Sequence, residues 1–171
     1  MEKHGGEVRA VASGLTGSAG SGEQTFKNIL GYDGVLKTEG PPAPWVMRTY
    51  YAKVGTDTFP IAESFGYEHR DYTVDLNGDG MEELVANVQY GGDGHQTAYV
   101  YQRRGNEIWR GEMALSALPN HDDWGANSTA VVFDPVNVVF RVSYSMKNTE
   151  KLGVMEYRGL SHMVFRRYRP A

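Results

Sequence analysis

The sequence predicts a mainly β protein whose strands follow one another in an antiparallel meander, arranged as a sandwich or as propeller-like sheets, with one short N-terminal helix. Two features of the composition indicate this class: the 171 residues include 21 glycines and 11 tyrosines. Glycine supplies the backbone conformations of tight turns, and tyrosine favours pleated, half-buried surfaces. A third observation is the alternation of small or aliphatic residues with tyrosine in Ala98-Tyr99-Val100-Tyr101, which is typical of an antiparallel sheet with one face towards water.

The chain divides into a flexible Gly/Ser-rich tail at residues 1–23 and a single β-rich domain at residues 24–171. Seven of the ten residues 13–22 are Gly or Ser, which is the composition of a flexible linker. The tail is interpreted either as a tether to a membrane anchor or as a disordered end.

The elements of the domain follow from the spacing of apolar residues. Phe26, Ile29 and Leu30 lie at i, i+3 and i+4, and Gly31 follows them, so a short helix is predicted at residues 24–31. From Trp45 onward the apolar residues alternate. Short turns rich in Gly, Asn and Pro separate the alternating segments, and the segments are therefore predicted to be strands.

Charge, hydropathy and cysteine content exclude several classes of function. The formal net charge is −4 without a long basic run, which argues against nucleic-acid binding. No apolar stretch approaches the roughly 18–20 residues needed to cross a bilayer. Because cysteine is absent, disulfide bonds, thiolate metal sites and cysteine nucleophiles are excluded.

Residues 75–83 read Asp-Leu-Asn-Gly-Asp-Gly-Met-Glu-Glu and have the pattern of a calcium-binding loop. Calcium is a hard cation that prefers six to eight oxygen ligands, and a loop supplies them when oxygen-bearing side chains alternate around a sharp glycine turn. Gly80 stands where that turn is needed. The predicted ligands, at positions 1, 3, 5, 7 and 9 of the loop, are Asp75, Asn77, Asp79, Met81 through its carbonyl, and Glu83.

The loop differs from an EF-hand in one position and in its flanks. Position 12, which holds a bidentate glutamate in an EF-hand, is Ala86 here, and the residues on both sides alternate as strands do. With three carboxylates and no bidentate closing residue, we expect calcium affinity in the range of about 10⁻⁴–10⁻³ M that extracellular modules show. Such affinity is useful where calcium is abundant, so the predicted location is extracellular or in the bacterial cell envelope. A plain hairpin turn with solvated acids is the alternative, because Asn-Gly and Asp-Gly also favour turns.

The segment from Asp75 to Leu84 resembles the calcium loop of FG-GAP and VCBS-type repeats, which occur in integrin-like propellers and in many secreted bacterial proteins. It also resembles a class of uncharacterised, often lipid-anchored proteins of Gram-positive gut bacteria, in which such a loop precedes a strand and a hairpin, as residues 84–101 do here. The resemblance implies the same five ligands. The chain carries one copy of the loop, whereas propellers repeat it in each blade.

These observations favour a non-enzymatic, extracytoplasmic, calcium-stabilised β domain that binds a protein or a glycan. The alternative is a surface hydrolase acting on a glycan or peptide. Such an enzyme would use His121, Asp122 and Asp123, with Asp93 or His95, because carboxylates beside histidine can transfer protons. Trp124, in the same loop as His121, is a candidate for stacking on a sugar.

Overall fold

The computed structural model describes residues 8–11, 22–39, 46–66, 68–90, 95–125, 129–147, 149 and 151–170. The strands are β1 Arg9–Val11, β2 Gly22–Ile29, β3 Tyr32–Glu39, β4 Val46–Val54, β5 Asp57–Gly66, β6 Glu68–Val74, β7 Glu83–Tyr90, β8 His95–Arg104, β9 Glu107–Met113, β10 Ala130–Asp134, β11 Val139–Ser145, β12 Leu152–Tyr157 and β13 Met163–Arg167. Short 3₁₀ turns occupy Leu115–Ala117 and His121–Asp123. The predicted mainly β class is confirmed.

In the described part of the chain the strands form three antiparallel sheets. One has the order β1-β6-β7-β8-β9-β13, a second β2-β3-β4-β5, and a third β10-β11-β12. Most neighbours are consecutive in sequence, as in a meander. The exceptions are β1 and β13, which come from opposite ends of the chain and complete the two edges of the six-stranded sheet. Because β1 and the beginning of β2 fall within the predicted tail 1–23, residues 9–11 and 22–23 of that segment are in strands, while residues 1–7 and 12–21 lie outside the described residues.

The predicted N-terminal helix at residues 24–31 is wrong, because this segment is the β2 strand and its turn. Leu30 and Gly31 form the two-residue turn of the β2–β3 hairpin, with φ of 55° and 78°. The β2–β3 register shifts between Phe26 and Ile29, and Asn28 has φ of 56°. A bulge followed by a tight turn therefore directs Phe26, Ile29 and Leu30 into one core. The i, i+3, i+4 spacing has this origin and not a helical one.

The six-stranded sheet has a hydrophobic core on each face. Val85 and Val100 belong to a core shared with the three-stranded sheet, which contributes Phe133. Leu84 and Tyr101 belong to a core shared with the four-stranded sheet. Because successive side chains of a strand point to opposite faces, β7 and β8 need apolar residues at consecutive positions in their centres.

A buried ionic cluster joins the four-stranded and six-stranded sheets. The Arg48 guanidinium on β4 lies 3.3 Å from the Asp71 carboxylate on β6, and the Tyr50 hydroxyl donates to the same carboxylate oxygen. All three residues are buried. Because ionised groups are costly to bury without partners, this pairing requires the two sheets to meet in one register.

Candidate metal centre

The calcium-type loop is the hairpin that connects β6 to β7. The ladder between these strands ends at the pair Val74 and Glu83, so residues 75–82 span one end of the six-stranded sheet. The prediction that strands and not helices flank the loop is confirmed.

The loop is shaped by its own acidic and amide side chains. The two carboxylate oxygens of Asp75 accept hydrogen bonds from the backbone N–H groups of Gly78, at 2.9 Å, and Gly80, at 2.8 Å. Asn77 accepts the Asp79 N–H at 3.2 Å, and Asp79 accepts the N–H two residues further on at 2.9 Å. Gly78 and Gly80 have φ of 75° and 88°, a region that glycine enters without steric penalty. The backbone thus folds around the side chains that a cation would bind.

Three of the predicted ligands come together in the folded chain. Asp75, Asp79 and Glu83 each offer a carboxylate oxygen, and these oxygens all lie within 4.8 Å of one another. Asp75 and Glu83 are buried, at 7% and 2% exposure, and Asp79 is exposed. Like charges held at this distance repel one another, and the repulsion is strongest where water is excluded.

The environment of Glu83 disfavours its charge when no cation is present. Burial raises the pKa of Glu83 from the ordinary 4.5 to about 7, and the negative charges of Asp79 and Asp75 contribute to the increase. The Leu76 N–H opposes it by donating to the Glu83 carboxylate at 2.6 Å. A divalent cation would reverse this preference because it stabilises the ionised form. The donor set consists of oxygens and therefore suits calcium rather than a soft metal.

The two other predicted ligands lie on the same turn. Asn77 is exposed and Met81 is half-buried, and each is tied to Asp79 by one of the hydrogen bonds above. Arg9 was not predicted to lie near the loop, but it forms an ion pair with Glu82. This pair connects β1 to the loop across 73 positions of sequence, so no local signal could have revealed it.

The residues of the predicted hydrolase site are arranged differently. Asp122 and Asp123 are exposed on one 3₁₀ turn, and the half-buried ring of His121 packs against Trp124 with 5.0 Å between ring centroids. Asp93 lies outside the described residues, and the side chain of His95 is outside them too. No described geometry therefore favours the hydrolase alternative.

Trp124, the candidate for stacking on a sugar, is a core residue. It is 4% exposed and stacks on Tyr144 with 4.5 Å between centroids and 14° between planes. Because its ring is covered, the prediction that it could stack on a sugar is not supported by its position.

A cleft of about 420 Å³ opens where the six-stranded and three-stranded sheets meet. Within it, the Asn87 side chain accepts the Phe133 N–H at 2.8 Å and donates to the Phe133 carbonyl at 2.9 Å. Arg141 is paired with both Asp134 and Glu156. Since these polar groups form hydrogen bonds and ion pairs with one another, the cleft is interpreted as part of the interface between the two sheets.

Comparison of the chain with family models, with curated proteins and with solved structures finds no match. The described part of the chain contains no helical segment with the length and hydrophobicity of a transmembrane span.

Proposed function

We propose that this chain is a calcium-stabilised β module of the FG-GAP/VCBS-like type that acts by binding a protein or a glycan outside the cytoplasm, on a bacterial cell surface. The observation that carries the proposal is the convergence of Asp75, Asp79 and Glu83 within 4.8 Å at one hairpin. In this role the cation is structural: it neutralises carboxylates that repel one another and holds the β6–β7 connection in one conformation.

Two further observations support a structural metal rather than a catalytic one. Both carboxylate oxygens of Asp75 accept hydrogen bonds from backbone N–H groups of the loop, so this side chain stabilises the conformation of the turn. Arg9 of the edge strand forms an ion pair with Glu82, which precedes Glu83 in the chain. Calcium at this position would therefore stabilise both the hairpin and the attachment of β1.

The proposal is tested by thermal unfolding of the whole chain with 10 mM calcium, with 10 mM magnesium and with chelator. At 10 mM calcium, which is about 10–100 times the expected dissociation constant, stabilisation is about 1.4–2.7 kcal/mol. This raises the melting temperature by about 3–10 °C for a chain of this size. Magnesium should produce a smaller shift because it demands a tighter octahedral geometry. Asp75→Ala should abolish the calcium shift, and an unchanged midpoint of the wild type at millimolar calcium would refute the metal role.

A further inference from the structure

A second cleft, of about 210 Å³, lies where β5 meets β9 and β13, and it is rich in arginine. We call it the arginine cleft and define it by its charged lining residues, Arg110, Arg166, Arg167, Arg169, Glu63 and Glu112. Four arginines against two glutamates give this surface a local excess of positive charge, although the whole chain has a formal charge of −4. The cleft is therefore a positive surface on an acidic protein.

Two of the arginines stand directly opposite each other. Arg166 on β13 pairs with Arg110 on β9 in the antiparallel register, so the two side chains leave the same face of the sheet with Cβ atoms about 5 Å apart. Like charges in this arrangement destabilise a sheet. An anion bound between the two guanidinium groups would convert the repulsion into a pair of attractive contacts.

The Arg110 side chain is held in place by aromatic rings. Its guanidinium lies 4.6 Å from the centroid of the Tyr99 ring. The guanidinium is also near the Tyr101 hydroxyl: burial raises the pKa of Tyr101, and Arg110 opposes this increase. Tyr101 is itself fixed by donating to the Glu63 carbonyl at 2.5 Å. A guanidinium fixed in this way loses little conformational freedom when it binds a ligand.

Ion pairs with acidic side chains neutralise only part of the positive charge of the arginine cleft. Arg167 forms an ion pair with Glu107 at 3.2 Å. Arg166 and Arg169 are exposed, and within the described ranges no acidic side chain forms an ion pair with either of them. Two accessible guanidinium groups thus remain beside the fixed Arg110.

We infer that the arginine cleft binds an acidic polysaccharide, with Arg110, Arg166 and Arg169 as its contacts to sulfate, phosphate or carboxylate groups. Guanidinium is suited to these anions because its planar donors match two oxygens at once. A cleft of this volume accommodates one charged sugar unit of a chain that continues past the open edge at β13. The inference names a ligand class for the binding role proposed above and rests on that role.

The test measures binding of the whole chain, in saturating calcium, to dextran sulfate, polygalacturonate and poly(glycerol phosphate), with neutral dextran and duplex DNA as comparisons. We expect at least one of the three acidic polysaccharides to bind and neutral dextran not to bind, and the polymer that binds identifies the acidic group. Arg166→Ala and Arg169→Ala should each weaken binding about tenfold, the effect of losing one charged hydrogen-bonding contact. Added salt should weaken binding as well.

Lys53→Ala is the matched control because it also removes one exposed positive charge. Lys53 follows the buried Ala52 on β4 and points away from the six-stranded sheet, so this variant should bind like the wild type. The inference is overturned if none of the three polysaccharides binds, if the Arg166→Ala/Arg169→Ala variant binds as well as the wild type, or if DNA binds more tightly than all three. Melting curves with calcium and chelator, recorded on the same samples, show separately whether the metal role holds.

Discussion

Replacement of Glu83 by glutamine should stabilise the calcium-free protein at alkaline pH and remove its response to calcium. Because the pKa of Glu83 is raised to about 7 in the folded chain from an ordinary 4.5, the folded state binds more protons than the unfolded state between those values. The stability of the calcium-free protein therefore falls as pH rises from about 4.5 to 7 and is constant above that window. This difference in the pKa of Glu83 corresponds to about 3 kcal/mol in the free energy of unfolding.

Glu83→Gln resembles the protonated form of Glu83 and keeps an oxygen for the Leu76 N–H. At pH 8 with chelator, the variant should be more stable than the wild type by up to about 3 kcal/mol, and at pH 4.5 the two should be similar. At pH 8 with 10 mM calcium this difference should become much smaller, because only the wild type gains from the cation, by up to about 2.7 kcal/mol. Urea denaturation at the two pH values, with and without calcium, measures all of these differences.

The control for this experiment is Glu82→Gln, which removes the neighbouring carboxylate and its ion pair with Arg9. It lies outside the group formed by the three converging acids, and loss of a partly exposed pair should lower stability by about 1 kcal/mol or less. Its response to calcium should be retained. A Glu83→Gln variant that is less stable than the wild type at pH 8 with chelator, or that keeps the full calcium shift, would refute this role of Glu83.

Two further pairs of variants test the packing between strands and between sheets. Gly34→Ala should lower stability by about 3 kcal/mol, since an added Cβ would lie 1.9 Å from the Tyr51 carbonyl oxygen. Gly105 lies at a turn with φ of 63° and open space around it, so Gly105→Ala should lower stability by only about 1 kcal/mol. Chemical denaturation measures both variants, and equal losses of stability for Gly34→Ala and Gly105→Ala would contradict the expected clash at Gly34. Asp71→Ala should lower stability by about 3–5 kcal/mol because it removes the carboxylate that pairs with the buried Arg48 guanidinium. The double variant Arg48→Met/Asp71→Leu should recover most of that loss, and a double variant no more stable than Asp71→Ala would refute the assignment.

The β class and the strand–loop–strand conformation around residues 75–83 could be predicted from the sequence because both depend on short-range interactions. In the loop, the hydrogen bonds of Asp75, Asn77 and Asp79 reach no further than five residues along the chain. Turn residues and alternating apolar residues likewise act over a few positions. Turn residues accordingly mark strand ends: Gly105 and Asn106 precede β9, which begins at Glu107, and Gly159 follows shortly after β12, which ends at Tyr157.

Long-range pairing decided the remaining features. Phe26, Ile29 and Leu30 have a spacing that both a helix and a bulged hairpin can produce, and the register between β2 and β3 selects the hairpin. The opposition of Arg110 and Arg166 exists only because the β13 strand, far along the chain, pairs with β9.

The sequence by itself thus determined the class of fold and the oxygen-rich loop. The tertiary structure decided which acids are buried together and where positive charge collects. The physical reason is that burial and electrostatic interaction depend on distance in space, and the sequence reveals such distances only within a single turn or hairpin.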